Sequence, residues 1–195
     1  MTVVVPDSMN GMATIRPLRI DETEAALRMK NQGWRQAYRG KVREEVLDGL
    51  DDGIEAIAEA WRQGFDESGS VPLVAVNDDG AIVGIAAGGE ARGDNPPAAV
   101  ELFMLYVLEE YYGTGLGRAL ADAAIGDAAA CVWVLEGNER AIAFYRKLGF
   151  APDGEREQLS ERWNGLHEIR MVRAACAVEP PRISASASGS QLTGE

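Results

Sequence analysis

Glycines at 113, 115 and 117 are the residues whose spacing most directly suggests chemistry. They stand in "LYVLEEYYGTGLGRALADAA", residues 105–124, between an apolar run and a helix-forming one. A strand-to-helix turn needs one or two glycines, so three at alternate positions imply a backbone that something else must approach closely. The first N–H groups of a helix lack partners within it, and the helix dipole adds partial positive charge there. With no Cβ intervening, such a backbone can hydrogen-bond a diphosphate. The chemistry expected of residues 113 to 118 is therefore the holding of a phosphate-bearing cofactor. Two nucleotide signatures fit poorly. A P-loop ends in Gly-Lys-Ser/Thr, whereas Arg118 and Ala119 follow Gly117. The dinucleotide fingerprint carries its third glycine one residue later and follows a first strand rather than a fourth. A plain glycine-rich turn stays open beside the cofactor cradle.

Other side chains have chemistry of their own. Glu101 begins an apolar run and, by alternation, shares a face with Phe103 and Leu105. A carboxylate among apolar neighbours has a raised pKa, which suits a general base; an exposed strand end is the alternative. Asn138 and Tyr145 lie seven apart, two turns along one helix face. Asn138 is a natural N-cap. The Tyr145 phenol can give a proton or a hydrogen bond, or can pack in the core beside Phe144. Trp34 and Tyr38, four apart, share a helix face that can stack on a cation or fill a core. Arg118 can add positive charge at the turn or sit solvated on the helix. His167, the one histidine, reads as structural. Cys131 lies in an apolar run and Cys176 in a tail, so no metal and no disulfide are expected.

Positioning these groups requires an α/β order. A first strand is expected at residues 13–18, then a helix at 21–38 opened by an Asp21/Glu24 capping box. Further helix is expected at 43–65, with a break near Gly49–Gly53. Two β-rich runs flank Asn77-Asp78-Asp79-Gly80 and read as a hairpin. A fourth strand precedes the glycines, with a helix at 117–130 after them. A fifth strand at 131–136 leads to a helix at 138–149 with Gly149 as its stop. One or two last strands close the order. Residues 1–12 and the Ala/Ser/Gly/Pro-rich stretch 174–195 read as flexible, leaving a single domain at 13–173.

The 195 residues suffice for a sizeable core. A formal net charge of −12 repels phosphate backbones, so nucleic-acid partners are not expected, whereas a cationic small molecule or basic peptide is tolerated. No apolar run is long enough for a membrane span, and the N-terminus lacks a basic segment, so a cytoplasmic location without membrane partners is the expectation. The acids between Glu44 and Glu59 read as a solvated helix face.

Three segments together resemble the GNAT superfamily of N-acetyltransferases. "YYGTGLGRAL" is similar to the family's diphosphate loop. "WVLEGNERAIAFYRKLGF" is close to its strand–Asn–helix–Tyr segment, and "GWRQAYRG" resembles the first-helix region of small bacterial members. The resemblance covers roughly 14–173. It implies a mixed sheet of six to seven strands with about four helices, splayed between the fourth and fifth strands. It implies acetyl-CoA as co-substrate, without a metal. Backbone groups of Leu105, Tyr106 and Val107 would pair with the pantetheine arm, with the Val107 N–H as an oxyanion donor. Tyr112, Gly113, Thr114, Gly115, Leu116, Gly117 and Arg118 would hold the diphosphate, with Tyr112 where the family has Gln or Arg. Asn138 and Ala141 would touch the arm. Tyr145 would be the general acid toward the thiolate and Glu101 the base. Trp34 and Tyr38 would wall the acceptor site with Glu101, and residues 88–99 and 160–165 would form its rim. The implied activity is direct acetyl transfer to a primary amine of a small molecule or peptide, cationic ones included, by a monomer or homodimer. A non-catalytic acyl-CoA sensor and a longer acyl donor remain as alternatives.

Overall fold

In the computed structural model, residues 3–6, 12–68, 71–160, 163 and 165–175 are described. The hairpin read from Asn77 to Gly80 forms: strand β3 (Leu73–Val76) turns into β4 (Ile82–Glu90). Asn77 holds it with its own side chain, which accepts the Ala81 N–H at 2.8 Å, and Gly80 takes a positive φ of 79°. Before it come β1 (Val3–Pro6), β2 (Met12–Pro17) and helices α1 (Thr23–Tyr38), α2 (Glu44–Asp48) and α3 (Ile54–Ser68). After it come β5 (Val100–Val107), α4 (Leu116–Ile125), β6 (Ala130–Leu135), α5 (Glu139–Lys147), β7 (Ala151–Gln158) and β8 (His167–Arg173). The strands make one mixed sheet in the order β1-β2-β3-β4-β5-β6-β8-β7. Among the described residues, the β5–β6 pair is parallel and the other neighbours are antiparallel.

Several local expectations change. The sheet has eight strands rather than six or seven. The addition is β1, inside the stretch 1–12 expected to be loose; it pairs from Val3↔Ile15 to Pro6↔Met12. A four-residue strand of three valines and a proline is decided by the edge it meets, not by its own signal. The tail expected from 174 lies, past Ala175, outside the described residues, as does Cys176. The Asp21/Glu24 capping box is not the one formed. Residues Ile20–Glu22 make a 3-10 turn, and Glu22 binds Arg16 at 2.7 Å and accepts the Arg19 N–H at 3.3 Å. Glu24 pairs with Arg28 instead, at 2.6 Å. Helix α4 stops at Ile125, short of 130, because Gly126 leaves helical space with φ 53°.

Helix α4 lies unusually close to β4. A Cβ on Gly84 would stand 2.7 Å from Leu120 Cδ1, and one on Gly88 would stand 2.5 Å from Ile125 Cγ2 and 3.2 Å from two backbone oxygens. These two glycines therefore set the depth at which α4 seats. One apolar cluster, with Ile15, Val74, Ile85, Leu116 and Leu120, fills the β2–β5 side. A second, with Leu102, Val132, Val134, Ile142, Phe150 and Met171, fills the β6–β8 side. Cys131 is buried at the start of β6, as its apolar context implied. Among the described residues, no helix is long and apolar enough to cross a membrane.

The sheet opens between its halves. Strand β5 pairs with β4 along its length to Val107↔Gly84, but with β6 only at Val100↔Ala130 and Glu101↔Cys131. Beyond Glu101 the two strands diverge, at the splay expected between the fourth and fifth strands. The β4–β5 register skips Phe103, passing from Ala87↔Met104 to Gly88↔Leu102. That extra residue bends β5 and shifts the alternation.

Candidate functional site

A cleft of about 1130 Å³ fills the opening between β5 and β6. Its floor is the free side of β5. The Leu108 N–H donates to Val83 O at 3.0 Å, so antiparallel alternation gives the backbone of Tyr106 to β4 and turns that of Leu105 and Val107 into the gap. The expectation that all three residues offer backbone groups is thus corrected for Tyr106. Its phenol oxygen instead accepts the Trp34 Nε1–H at 2.8 Å.

At one end stands the glycine turn. Gly113 and Gly115 have φ of 80° and 92°, and a Cβ on either would meet open space. Their conformation, rather than crowding, calls for glycine, and the space beside them is clear. Gly117 has a different reason: its Cβ would press the Phe144 ring at 3.3 Å. Thr114 and Leu116 do not face the cleft. Thr114 Oγ1 donates to Tyr111 O at 2.8 Å and accepts the Leu116 N–H at 3.3 Å, while the Leu116 side chain is buried in the core. Tyr112, Arg118 and Lys147 line this end with Arg140. Arg118 reaches across to the Lys147 carbonyl at 2.9 Å, and the Arg140 guanidinium lies 3.9 Å from the Tyr112 ring centroid. A cation thus sits against the tyrosine that replaces the expected Gln or Arg.

Midway, α5 brings in Asn138, Ala141 and Tyr145. Asn138 caps the helix by accepting the Ala141 N–H at 3.3 Å and also hydrogen-bonds the Tyr38 phenol. Tyr145 is buried between Phe144 and Phe150, ring centroids 5.2 and 5.7 Å away. Burial pushes its phenol pKa well up, so it stays protonated through the neutral range.

The far end is aromatic and charged. Trp34 packs at tilted angles against Tyr38, ring centroids 4.5 Å apart, and Trp163, 4.6 Å apart. Of the two expected rims, Arg92 to Pro96 line the cleft, whereas Trp163 lines a smaller pocket behind Trp34. Glu161, Arg162 and Asn164 of that rim lie outside the described residues. Glu101 is buried, but not among apolar neighbours alone. Arg92 grips both its oxygens, Nη2 on Oε1 and Nε on Oε2 at 3.2 Å, and the Arg92 N–H adds a third bond. The shifted alternation also moves Glu101 off the face of Leu105 and onto that of Tyr106. Glu168 of β8 lines the same end and was not singled out from the sequence. Burial lifts its carboxyl above the ordinary value, and Glu157, directly opposite on β7, lifts it further. The signal was the polar alternation of Glu168 and Arg170 in "HEIRMVR", unreadable until β8 is known to lie beside β6. His167 stays at the strand start, its carbonyl accepting the Glu136 N–H at 2.8 Å. Among the described residues no group of side chains could hold a metal ion.

Known proteins share the sequence pattern and the fold. The model of the Acetyltransferase (GNAT) family matches residues 34–150. An uncharacterised N-acetyltransferase of Bacillus subtilis is 26% identical over 69% of this chain and 78% of its own length. A mycothiol acetyltransferase of Paenarthrobacter aurescens is 38% identical over 48% of this chain, which spans only 29% of that relative. The chain spans about half of the uncharacterised N-acetyltransferase of Mycobacterium tuberculosis that it matches, 55% of its length at 40% identity. The fold is shared with an N-acetyltransferase of Thermoplasma acidophilum solved in complex with coenzyme A, at TM-score 0.61 and 19% identity over 83% of this chain and 98% of that one.

Proposed function

The chain belongs to the GNAT family of acetyltransferases, and from that premise we propose that it moves an acetyl group from acetyl-CoA to a primary amine of a small molecule or peptide, by direct attack in a ternary complex. The observation that carries this reading is the gap between β5 and β6, with the glycine turn at one end and Tyr145 at its middle. The residues present fit the donor. The turn offers clear space and, beyond the Leu116 N–H that Thr114 takes, the first-turn N–H groups of Gly117 and Arg118 for the diphosphate. Arg140 and Arg118 add positive charge beside it. Leu105 and Val107 offer a free strand edge to the amide groups of the arm, and the Val107 N–H is the candidate oxyanion donor. A small-molecule acceptor is in keeping with the relative named mycothiol acetyltransferase.

Acetyl-CoA supplies the activated thioester and a thiolate leaving group. Tyr145 keeps its proton until the C–S bond breaks and then gives it to the departing sulfur. The aromatic wall of Trp34 and Tyr38, with Trp163 packed behind Trp34, orients the acceptor and excludes water. Calorimetric titration with acetyl-CoA, with ATP as comparison, tests the donor half. Micromolar binding of acetyl-CoA alone is expected, followed by thiol release on adding primary amines. Equal binding of ATP, or no binding of acetyl-CoA, overturns the reading.

A further inference from the structure

Resting on the acetyltransferase reading, we propose that Glu168 is the group that takes the proton from the acceptor, and that the acceptor enters as a cationic primary amine. The amine must lose a proton before it can attack, since an alkylammonium like that of lysine has a pKa of ~10.4. Among the described residues four carboxylates line the cleft; Asp94 and Glu157 are exposed, which leaves Glu101 and Glu168 as the inward-lying candidates. Glu101 is enclosed by Arg92, whose backbone N–H, Nε–H and Nη2–H together make three bonds to its two oxygens, so its charge is already met by a fixed guanidinium. It fixes the Arg92 loop at the cleft rim and is a positioning residue. Glu168 is held differently: among the described residues no hydrogen bond or ion pair ties its carboxylate, and its environment is burial plus charges at a distance.

The geometry around Glu168 suits a proton acceptor. In the sheet it lies between Leu135 of β6 and Glu157 of β7, and it lines the cleft that Tyr145 enters from α5. Groups from each packed element face it. Glu157 on β7 and Glu101 on β5 disfavour its charge, and Arg92 at the rim favours it. The phenols of Tyr38 on α1 and Tyr106 on β5 feel its field. Arg170, two residues along β8, is drawn to Asp153 at 2.7 Å, and Arg156 of β7 to Glu136. The nearest carboxylates thus leave local negative charge that an ammonium would offset on entry.

The step balances. The ammonium gives one proton to the Glu168 carboxylate, and the freed nitrogen forms the C–N bond at the thioester carbon. The C–S bond breaks, and sulfur receives the Tyr145 proton. The nitrogen's remaining excess proton restores the phenol, and Glu168 releases its own to solvent. The net products are amide, free thiol and one proton.

Three measurements on the full chain test this: acetyl-CoA titration, thiol release with butylamine, spermidine and a peptide bearing a free N-terminus, and the pH profile of kcat/KM. In the wild type the rate should rise with pH through a carboxyl value above the ordinary range. Glu168→Gln should lose about 10²-fold or more in kcat, lose that limb of the profile, and keep its KM for acetyl-CoA. Glu157→Gln should move the limb to lower pH, because a like charge has been removed. If the wild type acetylates and Glu168→Gln keeps both kcat and the limb, the proposal fails while the acetyltransferase reading stands. If the wild type binds acetyl-CoA yet acetylates none of the amines, both fail. A Glu168→Gln chain that does not fold is replaced by 13C-carboxyl NMR of the wild type and Glu157→Gln. A Glu168 carboxyl titrating in the ordinary range, unmoved by Glu157→Gln, overturns the proposal.

Discussion

Tyr145 is the side chain on which the proposed chemistry turns, and its surroundings argue for an acid rather than a base. Phe144 and Phe150 enclose the ring, and burial holds the phenol protonated. Tyr145→Phe keeps the volume and the ring contacts and removes the one dissociable proton. It should lower kcat by ~10²-fold or more while leaving acetyl-CoA affinity in the calorimeter unchanged; an equal loss in both would demote the tyrosine to packing. Tyr145 and Asn138 were legible in the sequence because their relation is local, two turns of one helix. Glu168, Arg92 and Arg140 were not, because their partners come from other elements. The Arg92 grip on Glu101 exists only once β4 and β5 have paired, and like charges at 157 and 168 become neighbours only through the β7–β8 register.

Among the elements, α4 carries the most constraint. It must present its N-terminus to the cleft and still pack on β4, which Gly84 and Gly88 permit by having no side chain. Gly88→Ala would push a methyl group into Ile125 and into the carbonyl oxygens of Glu101 and Ala124. Overpacking of this kind costs ~1–3 kcal/mol. A lower urea midpoint with an unchanged slope is the expected result, and wild-type stability would show that α4 can lift from the sheet. Elements with punctuation of their own were readable beforehand. The Asn77–Gly80 turn, the break near Gly49–Gly53 and the Gly149 stop, with φ 88°, all stand where residue type placed them. Strand β1 and the skipped residue at Phe103 were not readable, since both depend on a partner strand's register.

Taken as one molecule, the protein carries a net charge of −12, yet its cleft is polarised. Arg118, Arg140 and Lys147 stand at the glycine end; at the aromatic end Arg92 is paired with Glu101 and Arg170 with Asp153, which leaves the charges of Glu157 and Glu168. On the proposed reading, the anionic donor and the cationic acceptor are each matched at one mouth, and the global charge favours the second. The buried phenols make a separate global statement. Tyr38, Tyr106 and Tyr145 all have pKa values raised chiefly by burial, whereas the unfolded chain ionises them near ~10. Groups raised in the folded state contribute stability that is present below the unfolded value and lost as pH rises through the folded one. The thermal midpoint should therefore fall steeply above pH ~10, and a flat midpoint there would mean that these phenols are already solvated. The opening between β5 and β6 has a further consequence. A sheet with one rung missing is finished by whatever occupies the rung, so on the proposed reading the donor is also a folding partner. Occupancy at a hundred times the dissociation constant adds ~2.7 kcal/mol to stability. The survival of this chain against proteases would then follow the supply of acetyl-CoA, which makes its abundance a record of metabolic state as much as of synthesis.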